Sequence, residues 1–158
     1  MEVLKRSTDT KTGISVVRKG STVETYNILN EKIHVIDSSR TQDGILIHRW
    51  FSSVSDDEIK EILGGHFVDE FIAHGCSLLL ADLSHWVVSW DGINDWLRDD
   101  LMPRMYDVGL RHLAVFAAPT QEADSNRFAA ERFSAENPGV NSSFVSEESA
   151  VAWLKQQP

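Results

Sequence analysis

Short apolar runs alternate with polar breaks along the first third of the chain. Residues 23–28 and 32–36 are two such runs, and the polar pair Asn30-Glu31 separates them. This spacing is typical of a β-hairpin. A third run, residues 44–50, follows a turn-rich stretch. The pattern therefore predicts three antiparallel strands at the start of a sheet.

The next pattern has the period of a helix. Ser55 precedes it, and Glu58 stands three residues later, as in a capping box. Apolar residues then recur every three or four positions: Ile59, Ile62, Leu63, Phe67, Phe71 and Ile72. Gly75 is placed to end the helix in a left-handed conformation. We expect one helix up to Gly75, weakened or bent at Gly64-Gly65 by about 1 kcal/mol per glycine.

Strands and helices alternate through the remainder of the chain. Residues 77–82 are apolar at nearly every position, which is typical of a strand buried on both faces. Residues 91–108 predict a helix that Pro103 kinks or splits. The final predicted elements are a strand at 112–118, a helix at 120–133, a short strand at 144–145 and a helix at 147–155.

This order predicts a single-domain, layered α/β fold. Its mixed sheet has about five to six strands, antiparallel first and parallel later, with about four helices on its two sides. Residues 22–156 form the domain, and residues 1–21 are either a loosely ordered extension or an edge strand. A length of 158 residues, with 42% hydrophobic and 25% charged residues, suits one globular domain.

Charge and cysteine content narrow the function classes. The net charge of −9 repels nucleic acid backbones and anionic lipid surfaces, and no local basic patch is evident. Neither the N-terminus nor any later run has the apolar length of a signal peptide or a membrane span. Cys76 is the only cysteine, so no intrachain disulfide forms. We therefore expect a cytoplasmic protein without nucleic acid partners or membrane insertion.

A cluster of polar residues follows the strand at 77–82. Asp82, Ser84 and His85 lie where open α/β sheets place their binding crevices. The Gly-x-Ser-x-Gly turn that exposes a nucleophilic serine is missing, so loop geometry and capping explain these residues more simply than catalysis does. Cys76, next to a buried strand, is expected to be a small apolar filler. The sequence predicts no enzyme.

Histidines and glycines supply no cofactor site. His66 and His74 are eight residues apart on one predicted helix, too far for two ligands of one small ion. His34 and His48 lie on strands that are expected to be neighbours, but the sequence assigns no third ligand. Neither Gly-x-Gly-x-x-Gly nor Gly-x4-Gly-Lys-Ser/Thr occurs. No metal and no cofactor are expected.

Tryptophan is the compositional exception, with five in the chain. Trp86, Trp90 and Trp96 fall within eleven residues around a strand-to-helix connection. Two interpretations remain open. The three side chains complete the core under a loop, or they form an aromatic contact surface or the mouth of an apolar pocket.

Several segments together resemble the SpoIIAA-like domains, a family that shares its fold with the STAS anti-sigma-factor antagonists and resembles CRAL-TRIO lipid-binding domains. The resemblance spans roughly residues 23–154. It is carried by Leu78-Leu79-Leu80-Ala81-Asp82-Leu83-Ser84, by Trp96-Leu97, by the run Gly109-Leu110-Arg111-His112-Leu113-Ala114-Val115-Phe116, and by the closing segment 147–154 with its Ala152-Trp153-Leu154. It implies a SpoIIAA-like fold and a regulatory, protein-binding role.

One departure from the STAS pattern concerns its phosphoacceptor. The resemblance places that Ser or Thr at the start of the helix after the Asp-Leu-Ser strand, where this chain has Asp91, with Ser89 two residues earlier. An aspartate there is either a fixed negative charge in place of phosphate or an N-cap of the helix. The departure argues against a phosphorylation switch.

Two functional hypotheses follow. The first is a non-catalytic regulatory domain that binds an unidentified protein, or a second copy of itself as a homodimer, through the connection after residue 82. The second is a binder of a small apolar or lipid-like ligand in a pocket like that of CRAL-TRIO domains. Both use the same candidate residues: Asp82, Ser84, His85, Trp86, Ser89, Trp90, Asp91 and Trp96.

Overall fold

A computed structural model describes residues 1–86, 91–116, 131–144 and 146–157, with the backbone alone for Trp86 and Asp91. Within these residues the chain forms an eight-stranded sheet whose strand order follows the chain order. The strands are β1 (Glu2–Lys5), β2 (Ser15–Lys19), β3 (Thr22–Tyr26), β4 (Lys32–Asp37), β5 (Ile45–Ser52), β6 (Leu78–Trp86), β7 (His112–Phe116) and β8 (Val140–Phe144).

The sheet is mixed, as predicted. Strands β1 to β5 pair antiparallel, and β5 to β8 pair parallel. The predicted number of five to six strands is wrong, because residues 1–21 contribute β1 and β2. Strand β2 pairs with β3 from Ser15↔Tyr26 to Lys19↔Thr22. Ile14 and Val16 are thereby fully buried, and these few aliphatic residues in a polar segment gave too weak a strand pattern.

Helices connect the later strands. They are α1 (Asp56–Leu63), α2 (His66–His74), α3 (Asn94–Trp96), α4 (Met102–Asp107), α5 (described over residues 131–136) and α6 (Glu147–Lys155). The capping box at α1 is confirmed: Ser55 Oγ accepts from the Glu58 amide at 3.1 Å, and the Glu58 carboxylate accepts from the Ser55 amide at 2.9 Å. No helix in the described ranges has the length and apolar character needed to cross a membrane.

The predicted single helix before Gly75 is two helices, because α1 ends before Gly64-Gly65 and α2 starts after it. Side chains would obstruct this connection. A Cβ on Gly65 would lie 2.7 Å from the carbonyl oxygen of Glu61, and one on Gly64 would lie 2.9 Å from that of Lys60. The glycine pair therefore allows the chain to turn where a helix would otherwise continue.

The predicted helix at 91–108 is interrupted before Pro103, which lies in the first turn of α4 where a missing amide is tolerated. A π-helical turn (Leu97–Leu101) joins α3 to α4, and the Met102 amide donates to the carbonyl of Leu97. Other predictions fall partly outside the described residues, namely those for 117–118, for 120–130 and for residue 145.

Helices cover both faces of the sheet. On one face, Leu46, Leu79 and Leu113 pack with residues of α1, α2, α4 and α5, and we call this the multi-helix face. On the opposite face, Ile47, Leu80 and Ala114 pack against Ala150, Val151 and Leu154 of α6, and we call it the α6 face. Side-chain alternation along each strand separates the two cores.

Candidate functional site

Asp82 and Ser84 lie together, in a network of ion pairs. The Asp82 carboxylate is 4% exposed and accepts from the amide and the hydroxyl of Ser84, at 2.8 and 2.5 Å. Nε of Arg49 lies 3.4 Å from Oδ2 of Asp82. The other two nitrogens of this guanidinium contact Oδ2 of Asp37 at 3.0 Å and Oε1 of Glu147 at 2.5 Å. These contacts join β4, β5, β6 and α6, which gives Asp82 and Ser84 a structural role.

His85 does not join this pair. Its ring is exposed and stacks on Phe51, with 5.2 Å between ring centroids and an interplanar angle of 11°. Nζ of Lys32 lies over the Phe51 ring at 5.2 Å. Within the described residues no hydrogen bond joins His85 to Ser84, so the three residues do not form the serine–histidine arrangement that nucleophilic catalysis requires.

The remaining predicted site residues divide into two groups. Ser89 and Trp90 lie outside the described residues, as do the side chains of Trp86 and Asp91. The question of a phosphate-mimicking Asp91 therefore falls outside the described part of the structure. Trp96 is half-buried and lines a surface cleft.

We call this depression the cationic cleft. It has a volume of about 670 Å³ and lies between the N-terminal segment, α1 and the α3–α4 segment. Its lining residues are Lys5, Lys11, Thr12, Asp57, Lys60, Glu61, Gly64, Gly65, Trp96, Asp100 and Arg104. The volume is typical of ligand-binding clefts in proteins.

Positive charge is concentrated in the cationic cleft. Four lining residues are cationic and three are acidic, whereas the whole chain has 15 Lys and Arg against 24 Asp and Glu. The Glu61 carboxylate is hydrogen-bonded within the chain, because it accepts from the amides of Lys11 and Thr12 at 2.8 and 3.0 Å. Burial raises the pKa of Glu61, but these bonds and the Thr12 hydroxyl outweigh it and hold the pKa below its usual value.

The walls of the cleft are held by short contacts. Nη2 of Arg104 donates to the Gly64 carbonyl at 3.2 Å. A Cβ on Gly64 would lie 3.8 Å from Cζ2 of Trp96 and 3.5 Å from Nη1 of Arg104. The end of α1 and the α3–α4 segment are therefore in direct contact, and this contact places Arg104 and Trp96 beside Gly64.

A second space lies inside the core of the multi-helix face, and we call it the apolar cavity. Its volume is about 40 Å³. Of the fifteen described residues that line it, fourteen are apolar: Trp50, Ile59, Leu63, Phe67, Leu79, Ala81, Ile93, Leu97, Leu101, Met102, Met105, Leu113, Val115 and Phe133. His48 is the fifteenth. Trp96 does not line this cavity, and Trp50, which we had not considered for a pocket, does.

Three buried histidines lie on the same face, with exposures of 0% for His34, 5% for His48 and 4% for His66. Nε2 of His34 lies 2.9 Å from Nδ1 of His48, and Nε2 of His66 lies 3.0 Å from the Thr25 hydroxyl. The pairing His34↔Trp50 brings β4 and β5 together here. The expected proximity of His34 and His48 is thus present.

These imidazoles are neutral near pH 7. Burial lowers the pKa of His48 to about 3 and that of His66 to about 4, and it also lowers the pKa of His34 well below its usual value. Nδ1 of His34 has no hydrogen-bond partner among the described residues. An unpaired buried N–H is rarer than an unpaired acceptor. This favours the tautomer in which Nε2 of His34 donates to Nδ1 of His48.

No group of three or more His, Cys, Asp and Glu residues in the described ranges has the geometry to hold a metal ion. Nε2 of His74, at the end of α2, lies 3.4 Å from the carboxylate oxygen Oε2 of Glu70. Nucleophilic chemistry at Cys76 is also disfavoured, because burial raises the pKa of its thiol.

Sequence reasoning missed the cationic cleft and found one of its residues, Trp96. Its four cations come from three separate segments, at positions 5 and 11, 60, and 104. No local cluster of basic residues therefore marks them. The helical spacing of Lys60 and Gly64, and of Trp96, Asp100 and Arg104, was an available signal, since residues four apart share one face of a helix.

Comparison with protein-family models, with curated proteins and with solved structures finds no match for this chain.

Proposed function

We propose that this chain is a non-catalytic regulatory domain that binds a protein partner at the cationic cleft. The partner contributes an acidic segment that carries an aromatic or large apolar side chain. The observation that carries the proposal is the preformed cleft, in which four cations surround the half-buried Trp96.

Charge complementarity supports an acidic partner. Lys5, Lys11 and Lys60 form no salt bridge within the described residues, and Arg104 donates to a backbone carbonyl rather than to a carboxylate. Glu61 remains charged, so the four cations face three acids, Asp57, Glu61 and Asp100, which leaves an excess of positive charge in a chain whose net charge is −9. Such local excess steers an oppositely charged partner and disfavours others.

The Trp96 side chain in the cleft supports a partner that has an aromatic or large apolar side chain at the contact. Trp96 offers a large ring surface and an indole N–H, a combination that makes tryptophan frequent among the energetically dominant residues of interfaces. An aromatic side chain flanked by carboxylates would stack on Trp96 while its neighbours meet Lys60 and Arg104. The cleft thus favours a segment of mixed acidic and aromatic character.

A regulatory role agrees with the SpoIIAA-like resemblance of residues 78–84 and 147–154. The reassignment of Asp82 and Ser84 to a structural network moves the proposed contact away from the carboxyl end of β6. Trp96 is the residue that the earlier hypothesis and the cleft share. The proposal therefore keeps the class of function and changes its location.

The experiment is an NMR titration of the ¹⁵N-labelled protein with an acidic decapeptide that has one central tryptophan. We expect amide shifts at Lys5, Lys60, Gly64 and Gly65, together with the Trp96 indole N–H. Lys60→Gln and Arg104→Gln should each weaken binding about three- to tenfold, because each removes one attractive charge from the cleft. Added salt should weaken it further.

The matched control is Lys5→Gln compared with Arg6→Gln. Both substitutions remove one positive charge from the same segment, but only Lys5 lines the cleft. Arg6→Gln should leave the affinity within about a factor of two, which is the screened long-range contribution. Equal binding of a peptide with glutamine at every acidic position, or shifts confined to other surfaces, would overturn the proposal.

A second candidate function, binding of a small apolar ligand, is favoured by the apolar cavity. Its lining, apolar except for His48, suits such a ligand. A volume of about 40 Å³ is well below the roughly 150 Å³ of a cavity that accepts benzene, so a whole lipid does not fit as the cavity stands. Native mass spectrometry of gently purified protein tests this candidate, since a reproducible apolar adduct would support it and a clean apo mass would count against it.

A further inference from the structure

The apolar cavity and the cationic cleft share the same walls. On α1, Ile59 and Leu63 line the cavity, whereas Lys60 and Gly64 line the cleft. Each pair is separated by four residues and follows its own stripe of the helix. Helix α1 therefore stands between the two spaces, with one stripe facing each.

The segment from Ile93 to Met105 repeats this arrangement. Leu97 and Leu101 line the cavity, and they are four residues apart. Trp96, Asp100 and Arg104, also at four-residue spacing, line the cleft. Each cleft residue thus stands one position before a cavity residue: 96 before 97, 100 before 101, and 104 before 105. A rotation of this segment would move both linings together.

A π-helical turn lies at the centre of this shared wall. It spans Leu97–Leu101, and the Met102 amide bonds to the Leu97 carbonyl five residues earlier. Such turns are rare and occur frequently at functional sites. Conversion to an α-helical turn would shift α4 by one residue against Trp96, a rotation of about 100°. The π-helical turn is therefore the place at which the register of α4 against Trp96 would change.

We propose that the apolar cavity binds a small apolar molecule of a few heavy atoms, and that its occupation changes the affinity of the cationic cleft through the π-helical turn. This rests on the cleft being the binding site proposed above. The occupant stabilises the arrangement in which Leu97 and Leu101 line the cavity, and the same arrangement fixes Trp96 and Arg104 in the cleft.

The size of the cavity limits the occupant. About 40 Å³ suits an atom or molecule much smaller than benzene, and the apolar lining favours one without strong hydrogen-bonding groups. Met102 and Met105 are unbranched and adapt to irregular spaces, so modest growth of the occupant is tolerated on that side. Xenon is a suitable probe because it is apolar and compact.

The test is an NMR titration of the whole chain with dissolved xenon, followed at the methyl groups of Leu97, Leu101, Met102 and Met105. We expect the Trp96 indole N–H and the amides of Gly64 and Gly65 to shift with the same saturation curve as these methyl groups. The affinity for the acidic decapeptide should change by at least about threefold at saturating xenon. Ala81→Val, which fills part of the cavity, should abolish both sets of shifts.

The outcomes separate this inference from the proposed function. Saturating methyl shifts with an unmoved Trp96 indole would overturn the coupling and leave peptide binding intact. Absence of methyl shifts would overturn the cavity as a site. If Trp96 shifts with xenon although the decapeptide does not bind, the two spaces are coupled and the proposed partner is wrong. Retention of the shifts in Ala81→Val would place xenon elsewhere and also overturn the inference.

Discussion

The two faces of the sheet differ in how completely their groups are packed and paired. On the α6 face, aliphatic side chains of three strands meet one helix, and Arg49 joins three carboxylates. The multi-helix face contains the apolar cavity, and within the described part of the chain Nδ1 of both His34 and His66 lacks a hydrogen-bond partner. The α6 face is therefore held by apolar contacts and ion pairs, whereas the multi-helix face contains unfilled space that a ligand or a shifted side chain can occupy.

The largest expected effect comes from lowering the pH, because the buried histidines of the multi-helix face then become protonated on unfolding. An unfolded histidine titrates at about pH 6.5, but the folded pKa of His48 is about 3, that of His66 is about 4, and that of His34 is also well below its usual value. Between those values the unfolded state binds more protons, so the free energy of unfolding falls as pH falls. His48 and His66 should each remove about 2 kcal/mol by pH 5, and His34 should lower the free energy of unfolding in the same direction.

Urea unfolding at several pH values between 7.5 and 5 measures this loss. His66→Gln should reduce this loss by about 2 kcal/mol, because glutamine does not titrate and its amide can still bond to Thr25. A free energy of unfolding that stays constant down to pH 5 would contradict the burial of neutral imidazoles.

The α6 face should be most sensitive to loss of its central cation. Arg49→Met leaves the buried carboxylate of Asp82 without its charged partner, which should lower the free energy of unfolding by about 3–5 kcal/mol. Arg40→Met removes a partly exposed contact to Asp43 at 3.8 Å and should cost less than about 1 kcal/mol. Chemical denaturation distinguishes the two, and equal losses would show that Arg49 has no special role.

The same small substitution on neighbouring strands should give opposite signs. Ala81→Val extends into the apolar cavity and should raise the free energy of unfolding by about 0.5–1 kcal/mol. Ala114→Val enters the packed core beneath α6, where Ala114 is fully buried, and should lower it by about 1–3 kcal/mol. Denaturation midpoints measure both, and destabilisation of similar size by both variants would mean that the two faces are equally well packed.

Much of the fold follows from local patterns that the sequence displays. The capping box at Ser55, the hairpin of β3 and β4 and the apolar run of β6 depend on residues close together in the chain, and the sequence pattern predicts each of them. For residues 1–21 the pattern left an edge strand open but did not predict two strands, because the stability of β2 comes from pairing with β3 and from burial of Val16, which a polar segment does not reveal. The break at Gly64-Gly65 was underestimated because the apolar period continues through it.

The site was much harder to predict. Asp82, Ser84 and His85 are adjacent in sequence, but the strand directs Asp82 and Ser84 to Arg49 and leaves His85 against Phe51. Conversely, Lys5, Lys60 and Arg104 are distant in sequence and meet only after folding. Proximity along the chain was therefore a poor guide to proximity in space, and Trp96, for which both the core and a contact surface were left open, is half-buried and lines the cationic cleft.

The strand order has a consequence for how the molecule forms. Because every strand lies beside the strands that precede and follow it in the chain, each new strand can add to the growing edge of the sheet. The first five strands need only short connections, so their pairing should be early and fast, and the parallel strands must wait for their helices. During synthesis the antiparallel half can assemble before β6 leaves the ribosome, and it then serves as a template for the half that carries most of the apolar cavity.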